Sequence, residues 1–274
     1  MILHVCNVDR FIPPFIILVN EEFDTEDHQF WLAGTQKLKQ HPIEKTDNVF
    51  IAGPTIAGQL IAYFKLFLML HRARKLILHG LFNPRVSVLL ALCPWLLKKC
   101  YWVIWGGDLY QYQKPKPRVK DKVIERLRKF VIKRIGHLIT YIPGDVELAR
   151  KWYGARGEYH ECLMYLSNVV NLQVLQDAER AHEEHSGLNI LVGNSADPSN
   201  NHLESLENLL PCRDHDIRVY VPLSYGDQAH ANKVIKQGKA WFGDKFFPLA
   251  SLMPFDQYLN FLNSIDIAIF NHKR

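Results

Sequence analysis

Residues 188–202 read LNILVGNSADPSNNH and decide the fold class. An apolar run, Leu188–Val192, stops at Gly193, and a helical pattern begins near Asn201 after a polar stretch that contains one proline. This order predicts a buried strand, a tight turn and the start of a helix. Glycine lets the backbone approach a ligand closely, and amide groups at a helix start favour an anion. The stretch therefore predicts a phosphate-holding turn that opens a second α/β unit; an ordinary capped strand–helix loop is the alternative.

The composition places the chain among globular proteins. Its 274 residues are enough for two domains of the usual size, with 48% hydrophobic and 22% charged residues. The net charge of +5 is mild, so local charge matters more than the total. The five cysteines are scattered and show no CxxC spacing, which excludes the usual zinc and redox motifs and fits a reducing compartment. We expect no signal peptide, and the longest apolar runs, such as Val86–Leu97, are too short to span a bilayer.

Strand and helix patterns alternate through the first half, which favours a parallel, doubly wound sheet. The predicted strands are Met1–Val8, His28–Leu32, Val49–Ala52, Lys75–His79, Cys100–Trp105 and Leu138–Tyr141. The predicted helices are Phe15–Asn20, Gln59–Arg74, Pro84–Leu97 and Asp121–Ile135.

The second half repeats the same alternation. Beyond residues 188–202 the predicted strands are Ile217–Val221, Lys245–Phe247 and Ile265–Phe270. The predicted helices are Asp227–Gly238 and Pro254–Ser264. We predict an N-terminal domain over residues 1–170, a polar linker over 171–187 and a C-terminal domain over 188–274. The sequence stops directly after a strand, where a doubly wound sheet normally continues with a loop and a helix. We therefore expect the second domain to be incomplete; a natural end on an edge strand is the alternative.

Two polar, glycine-containing loops follow predicted strands in the first half. They read HGLFNP from His79 and WGGDLY from Trp105. In an open α/β sheet both lie at the carboxyl edge, so we expect them to meet in one crevice. Asp108 is then placed to accept a proton from an attacking hydroxyl, and His79 to do the same or to orient the substrate. The alternatives are a helix N-cap or turn residue for Asp108 and a core histidine for His79.

The strongest charge feature is the basic stretch over residues 114–134, KPKPRVKDKVIERLRKFVIKR. Its apolar residues fall on one face of a predicted helix. A basic amphipathic helix suits an anionic membrane surface, and we predict contact through Arg126, Arg128, Lys129 and Lys133. A solvated charged face is the alternative. We predict no nucleic-acid partner, because no recognised nucleic-acid motif accompanies the patch.

Four sequence blocks together resemble one known family. They are LHGLFNP (Leu78–Pro84), WVIWGGDLY (Trp102–Tyr110), ILVGNSADPSNNH (Ile190–His202) and IFNHKR (Ile269–Arg274). In order and spacing, across nearly the whole chain, they resemble the TDP-N-acetylfucosamine:lipid II N-acetylfucosaminyltransferases. These are the 4-alpha-L-fucosyltransferase-type enzymes of enterobacterial common antigen synthesis.

The resemblance implies a GT-B glycosyltransferase with two Rossmann-like domains, the first facing the acceptor and the second binding the nucleotide sugar. It implies transfer of N-acetylfucosamine (4-acetamido-4,6-dideoxy-galactose) from a TDP-sugar to an undecaprenyl-pyrophosphate-linked saccharide. It also implies a peripheral protein on the cytoplasmic face of the inner membrane. No cofactor or bound metal is expected, because helix N-termini and backbone amides stabilise the leaving pyrophosphate in this fold.

The resemblance also assigns residues. Carried over by position, the WGGD block supplies Asp108 and the GNS block supplies Gly193, Asn194 and Ser195. We predict catalytic Asp108 and His79, acceptor-side Asn83, Gly106 and Gly107, and Asn271 as a further donor-binding residue. Family members continue past the closing block, so a truncated, non-catalytic remnant of such an enzyme is the main alternative. A nucleotide-sugar epimerase is disfavoured, because no dinucleotide-binding fingerprint follows the first strand.

Overall fold

The computed structural model describes residues 1–44, 46–165 and 185–271. The chain divides into two compact units, Met1–Asn168 and Val169–Arg274. Each unit contains one sheet in which all paired strands are parallel. The predicted linker lies outside the described residues over 171–184.

The first unit has a seven-stranded sheet in the order β3-β2-β1-β4-β5-β6-β7. Its strands are β1 (Ile2–Asn7), β2 (His28–Ala33), β3 (Val49–Ile51), β4 (Lys75–His79), β5 (Cys100–Val103), β6 (His137–Thr140) and β7 (Glu158–Glu161). Its helices are α1 (Ile12–Glu22), α2 (Ile56–Arg72), α3 (Pro84–Leu92), α4 (Val119–Arg134) and α5 (Pro143–Tyr153).

The two faces of this sheet are covered by different helices. Alternate residues of β1 point to opposite faces, as the period of a strand requires. Leu3 and Val5 belong to a core with buried residues of α2 to α5, whereas Cys6 and Val8 belong to a core with α1. The central strands are therefore buried on both faces, which explains why they read as continuous apolar runs.

The second unit has a four-stranded sheet in the order β10-β9-β8-β11. Its strands are β8 (Leu188–Val192), β9 (Ile217–Pro222), β10 (Phe246–Leu249) and β11 (Ile267–Ile269). Its described helices are α6 (His202–Asn208), α7 (Gln228–Phe242) and α8 (Phe255–Asn263). Apolar residues of β8, β9, α6 and α7 form its core.

The structure confirms the predicted α/β class and the predicted elements, with shifts at their ends. The predicted helix Pro84–Leu97 ends at Leu92, because Pro94 has no amide hydrogen to continue the helical bonds. A 3-10 segment, Pro94–Lys99, follows it. Helix α5 and strand β7 were not predicted from the sequence. No helix in the described part of the chain is long and apolar enough to cross a membrane.

Candidate functional site

A crevice lies where the strand order of the first sheet reverses, between β1 and β4. In open α/β sheets this point is the usual ligand site, because the loops on its two sides diverge. A cavity of about 310 Å³ occupies it. Its walls come from the carboxyl ends of β1, β2, β4 and β5 and from the loops after them: Asn7, Val8, Asp9, Gly34, Gln36, Lys37, His79, Phe82 and Trp105.

Asp9 supplies the carboxylate among these lining residues. Its side chain is 31% exposed, and its Oδ2 lies 3.7 Å from the Nζ of Lys37. An accessible carboxylate in a crevice of this kind can receive a proton from a bound hydroxyl. Asp9 was not predicted as a site residue, although it follows the first strand just as Gly80 and Gly106 follow later ones.

Asp108 is fully buried and its carboxylate accepts four hydrogen bonds. Oδ2 accepts from the backbone N–H of Leu81 at 2.8 Å and from Nε1–H of Trp102 at 2.6 Å. Oδ1 accepts from the backbone N–H of Trp105 at 3.0 Å and of Leu109 at 2.9 Å. The carboxylate is closed to an acceptor hydroxyl, so we assign it a structural role in place of the predicted general base. It ties the loop after β4 to the loop after β5.

Arg128 also belongs to this hydrogen-bond network. The prediction that it contacts a membrane is therefore wrong. The side chain is buried. Its guanidinium donates to the backbone carbonyl of Asp108 and to the hydroxyl of Tyr153, and it lies 3.6 Å from a carboxylate oxygen of Glu125. The charge pattern alone did not separate Arg128 from its neighbours Arg126, Lys129 and Lys133, which are exposed.

His79 is buried in a chain of hydrogen bonds that crosses the sheet. Its Nδ1 lies 2.6 Å from the hydroxyl of Tyr165 and its Nε2 lies 3.0 Å from Nδ1 of His4. Nε2 of His4 in turn lies 2.9 Å from Nδ1 of His28. Nε1–H of Trp105 donates to the Tyr165 oxygen at 2.8 Å.

One proton arrangement satisfies every member of this chain. Tyr165 accepts from Trp105, which can only donate, and its own hydroxyl proton has Nδ1 of His79 as its partner. His79 then donates to His4, which donates to His28. Each imidazole is then neutral with its proton on Nε2. Both ring nitrogens of His79 are occupied in this way. We therefore assign His79 to the wall of the crevice, and not to the predicted role of base or substrate-orienting group.

This buried chain should make the first unit acid-sensitive. Burial lowers the pKa of His79 from 6.5 to about 3. Above pH 6.5 the folded and unfolded states both hold neutral His79, and its contribution to stability is complete. Below pH 6.5 only the unfolded state binds the proton, so stability falls by about 1.4 kcal/mol per pH unit until the folded pKa is reached.

Urea unfolding followed by tryptophan fluorescence at pH 6.5 and pH 5 checks this expectation. We expect His79 to account for a loss of about 2 kcal/mol over this interval. The variant His79→Gln should show a correspondingly flatter pH dependence. An equal slope in the two proteins would contradict the assignment of a neutral, buried His79.

The predicted acceptor-side residues shape the loops without lining the crevice. Asn83 caps α3, because its Oδ1 accepts from the N–H of Arg85 at 3.0 Å, and its Nδ2 donates to the hydroxyl of Tyr63 at 2.9 Å. Gly106 has φ +67°, a left-handed conformation that other residues rarely adopt. With Gly107 it makes the turn that returns Asp108 beneath the loop.

The second unit places the predicted donor residues at the carboxyl ends of β8 and β11. Gly193 has φ +72°, and a Cβ there would lie 2.6 Å from Nε2 of His202. Its N–H donates to the carbonyl of Ile269 at 2.9 Å. The space that glycine was predicted to leave for a ligand is therefore filled by the His202 ring. Asn194 is exposed beside it, and Ser195 is buried.

Asn271 lies next to this turn. Its carbonyl accepts from Nδ2 of Asn201 at 2.7 Å, so it is joined to the residue that precedes α6. The predicted donor residues are thus brought to one edge of the sheet. Helix α6 begins at His202, close to the predicted start near Asn201.

One group of side chains in the described residues has the spacing of a metal site. His137, Glu158 and His160 have ligand atoms within 4.8 Å of one another. Two of these residues begin β6 and β7, so the group lies at the amino ends of the strands, away from the crevice. Nδ1 of His137 and Nε2 of His160 are 2.9 Å apart, as in a direct hydrogen bond.

A larger groove opens beside the crevice. Its volume is about 1620 Å³, above the usual range for small-molecule pockets, and it shares Asn7, Gly34, Gln36 and Phe82 with the crevice lining. Helices α2, α3 and α4 form its walls, mostly with apolar side chains. These apolar side chains include Leu60, Leu89, Leu92, Val119, Val123 and Leu127.

Solved structures share this architecture. Sucrose-phosphate synthase from Thermosynechococcus elongatus matches with a TM-score of 0.63 at 11% identity, covering 99% of this chain and 76% of that one. Anabaena Alr3699/HepE in complex with UDP and glucose matches with a TM-score of 0.60 at 12% identity, covering 98% and 73%. A glycosyltransferase from Rickettsia africae matches with a TM-score of 0.57 at 13% identity, covering 99% and 72%. These similarities establish the predicted GT-B-like fold.

The family is established by sequence. Residues 7–274 match the family described as 4-alpha-L-fucosyltransferase glycosyl transferase group 56. The match covers both units, the crevice, the groove and the turn at Gly193, and it confirms the resemblance drawn from the four sequence blocks. The chain therefore belongs to glycosyltransferase group 56 and is a transferase enzyme.

Proposed function

We propose that this transferase moves N-acetylfucosamine from a TDP-sugar to an undecaprenyl-pyrophosphate-linked saccharide of enterobacterial common antigen or a related surface polysaccharide. The family description supports a deoxyhexose as the transferred sugar. The proposed enzyme is peripheral and acts at the cytoplasmic face of the inner membrane, where such acceptors are exposed to nucleotide sugars.

The observation that carries this proposal is the groove, lined mostly by apolar side chains, that opens at the crevice holding Asp9 and Lys37. A lipid-linked saccharide has the same division, with a polar sugar at one end and a long hydrocarbon chain at the other. The crevice has the size for a sugar residue, and Asp9, Gln36 and Lys37 in its lining can hydrogen-bond to sugar hydroxyls. The groove offers apolar walls on three helices for the isoprenoid units nearest the pyrophosphate. Arg85 lines the groove and is a cation available to that pyrophosphate.

Asp9 is the proposed general base. As the acceptor oxygen bonds to the anomeric carbon, the bond between that carbon and TDP breaks, and the hydroxyl proton passes to the Asp9 carboxylate. Lys37 beside it balances the negative charge before the transfer. Asp108 and His79 hold the loops that shape the crevice.

We place the TDP-sugar on the second unit, at the edge formed by Gly193, Asn194, Ser195 and Asn271. The fold-related Anabaena protein was solved with UDP and glucose, which supports a nucleotide-sugar site on this fold. Because the His202 ring fills the space at Gly193, the exposed Asn194 is the group in this turn that is open to the donor.

Acceptors of different chain length test the groove assignment. The double variant Leu60→Gln/Val123→Gln changes two groove residues that are 70% and 47% exposed, so the core is spared. We expect a KM for the long-chain acceptor that is roughly tenfold or more higher, because two apolar contacts are lost. The KM for a short-chain, water-soluble acceptor should not change.

Ile17→Gln is the matched control, since Ile17 is 51% exposed on α1, across the sheet from the groove. Equal effects of the groove variant on long and short acceptors would show that the groove does not hold the lipid.

A further inference from the structure

The surface of α2 that faces away from the sheet is apolar and uncovered in this chain. Ala62, Leu66, Met69 and Leu70 bury the inner side of the helix. On the outer side Ile61 and Phe64 are each 65% exposed, and Leu68 is 37% exposed. These three residues lie three and four positions apart, so they form one stripe along the helix. Soluble proteins rarely leave such a stripe open without a binding partner.

A tryptophan extends this stripe at the end of α2. Trp95, in the 3-10 segment after α3, is 63% exposed. Its Nε1–H donates to Nε2 of His71 in the last turn of α2 at 3.3 Å. An exposed indole with an apolar body and a polar edge is typical of side chains at a membrane–water boundary. We call Ile61, Phe64, Leu68 and Trp95 the outer stripe.

The segment of the chain that carries the outer stripe has side-chain charge of one sign only. Residues 49–107 contain seven lysines and arginines and no aspartate or glutamate. Lys65 and Arg72 lie on α2 itself, both exposed. Lys99 donates to the carbonyl of Ala73, which fixes its charge at the end of the helix. A surface of this kind complements a negatively charged partner with an apolar layer beneath its charges.

A second basic element adjoins the groove on the side formed by α4. Lys122, Arg126, Lys129 and Lys133 are all exposed and fall on one side of that helix, next to the exposed Val119 and Val123. Arg126, Lys129 and Lys133 belong to the predicted membrane contact and, unlike Arg128, are exposed. The apolar edges of α2 and α4 therefore flank the same groove, each with cations beside it.

We propose that the outer stripe inserts into the boundary between headgroups and acyl chains of an anionic bilayer, with the cations of α2 and α4 at headgroup level. A lipid surface is favoured over a protein partner because the uncovered side chains are apolar while every lysine, arginine or acid in residues 49–107, the segment that contains them, is positive. The inference deepens the proposed function, since it places the groove mouth at the lipid that would carry the acceptor. Its test needs neither donor nor acceptor.

Vesicle sedimentation tests this surface. We expect the chain to bind vesicles of phosphatidylcholine with about a third phosphatidylglycerol and to bind pure phosphatidylcholine far more weakly. The variant Ile61→Ser/Phe64→Ser should lower the partition coefficient on the order of 100-fold, because two large apolar side chains are lost from the membrane. Neither residue lines the groove. The matched control Ile17→Ser/Phe23→Ser changes one exposed apolar residue on α1 and one directly after it, and should bind like the wild type.

Salt separates the two contributions. Replacing Lys122, Arg126, Lys129 and Lys133 with glutamine should weaken binding at low salt and have little effect at about 0.5 M salt, where surface charges are screened. The outer-stripe variant should remain weak at both salt concentrations. Sugar transfer by this variant to a short-chain, water-soluble acceptor should equal that of the wild type. Vesicle binding and sugar transfer are thus measured separately, which distinguishes failure of this inference from failure of the proposed function.

Wild-type vesicle binding by the outer-stripe variant would overturn the inference. The inference would also be overturned if the wild type showed no affinity for vesicles and formed a dimer without lipid, as measured by light scattering, while the outer-stripe variant was monomeric. That result would assign the stripe to contact between two copies.

Discussion

Replacing Asp9 with asparagine should lower kcat by about 10²–10⁴-fold, the usual cost of losing a general base. The substitution keeps the size of the side chain and removes its ability to take up the acceptor proton. The KM for the donor should change little, because we place the donor on the other unit. Steady-state kinetics with a TDP-sugar and a lipid-linked acceptor measure both constants.

Asp24→Asn is the control for this experiment, since it removes an exposed carboxylate in the loop after α1. Lys37→Gln should reduce kcat less than Asp9→Asn, because it removes only the charge beside the base. A kcat for Asp9→Asn within a few-fold of the wild-type value would remove Asp9 from the mechanism.

Asp108→Asn should destabilise the first unit by about 3–5 kcal/mol. Each carboxylate oxygen accepts two N–H groups, so the new amide group replaces an acceptor whichever way it turns. The two buried N–H groups that donated to the replaced oxygen then face the N–H groups of the new amide, and each loses its acceptor. Urea unfolding reports the change directly, because Trp102 and Trp105 bind the same carboxylate.

Glu22→Gln is the control, since it neutralises an exposed acid at the end of α1 and should leave the unfolding free energy unchanged within about 0.5 kcal/mol. If Asp108→Asn kept wild-type stability but lost kcat, the structural assignment would fail and the predicted role as general base would return.

The fold was predictable because its strands carry a strong apolar signal. Lys75–His79 and Leu188–Val192 were predicted with the bounds that the structure gives them. Helix α5 was missed although its buried residues Val146, Ala149 and Tyr153 lie three and four positions apart, the spacing of one helix face. Its neighbour β7 was missed because Glu158–Glu161 is a short edge strand whose residues are mostly polar.

The location of the candidate site was predictable from the sequence, but the roles of its residues were not. The strand-end rule brought the loops after β4 and β5 to one crevice, as expected. It did not tell an exposed carboxylate from a buried one: Asp9 and Asp108 both follow strands, and only packing distinguishes them. The same limit applies to Arg128, whose burial depends on Tyr153 and on the Asp108 carbonyl, which are distant in sequence.

The outer stripe was not predicted from the sequence. The helical pattern of α2 was predicted, but which of its apolar residues would be exposed was not. The structure shows that only one side of the helix is buried, because the sheet can cover only that side. An excess of apolar residues around a helix is visible in the sequence, but the partner of its second face is not.

The most direct test of the account is a transfer assay with TDP-N-acetylfucosamine and a polyprenyl-pyrophosphate-linked saccharide, with the products identified by mass spectrometry. We predict an acceptor product heavier by one 4-acetamido-4,6-dideoxyhexose residue, formed together with TDP. A preparation that binds the donor but releases TDP only by hydrolysis, with no sugar on any lipid-linked acceptor, would contradict the account.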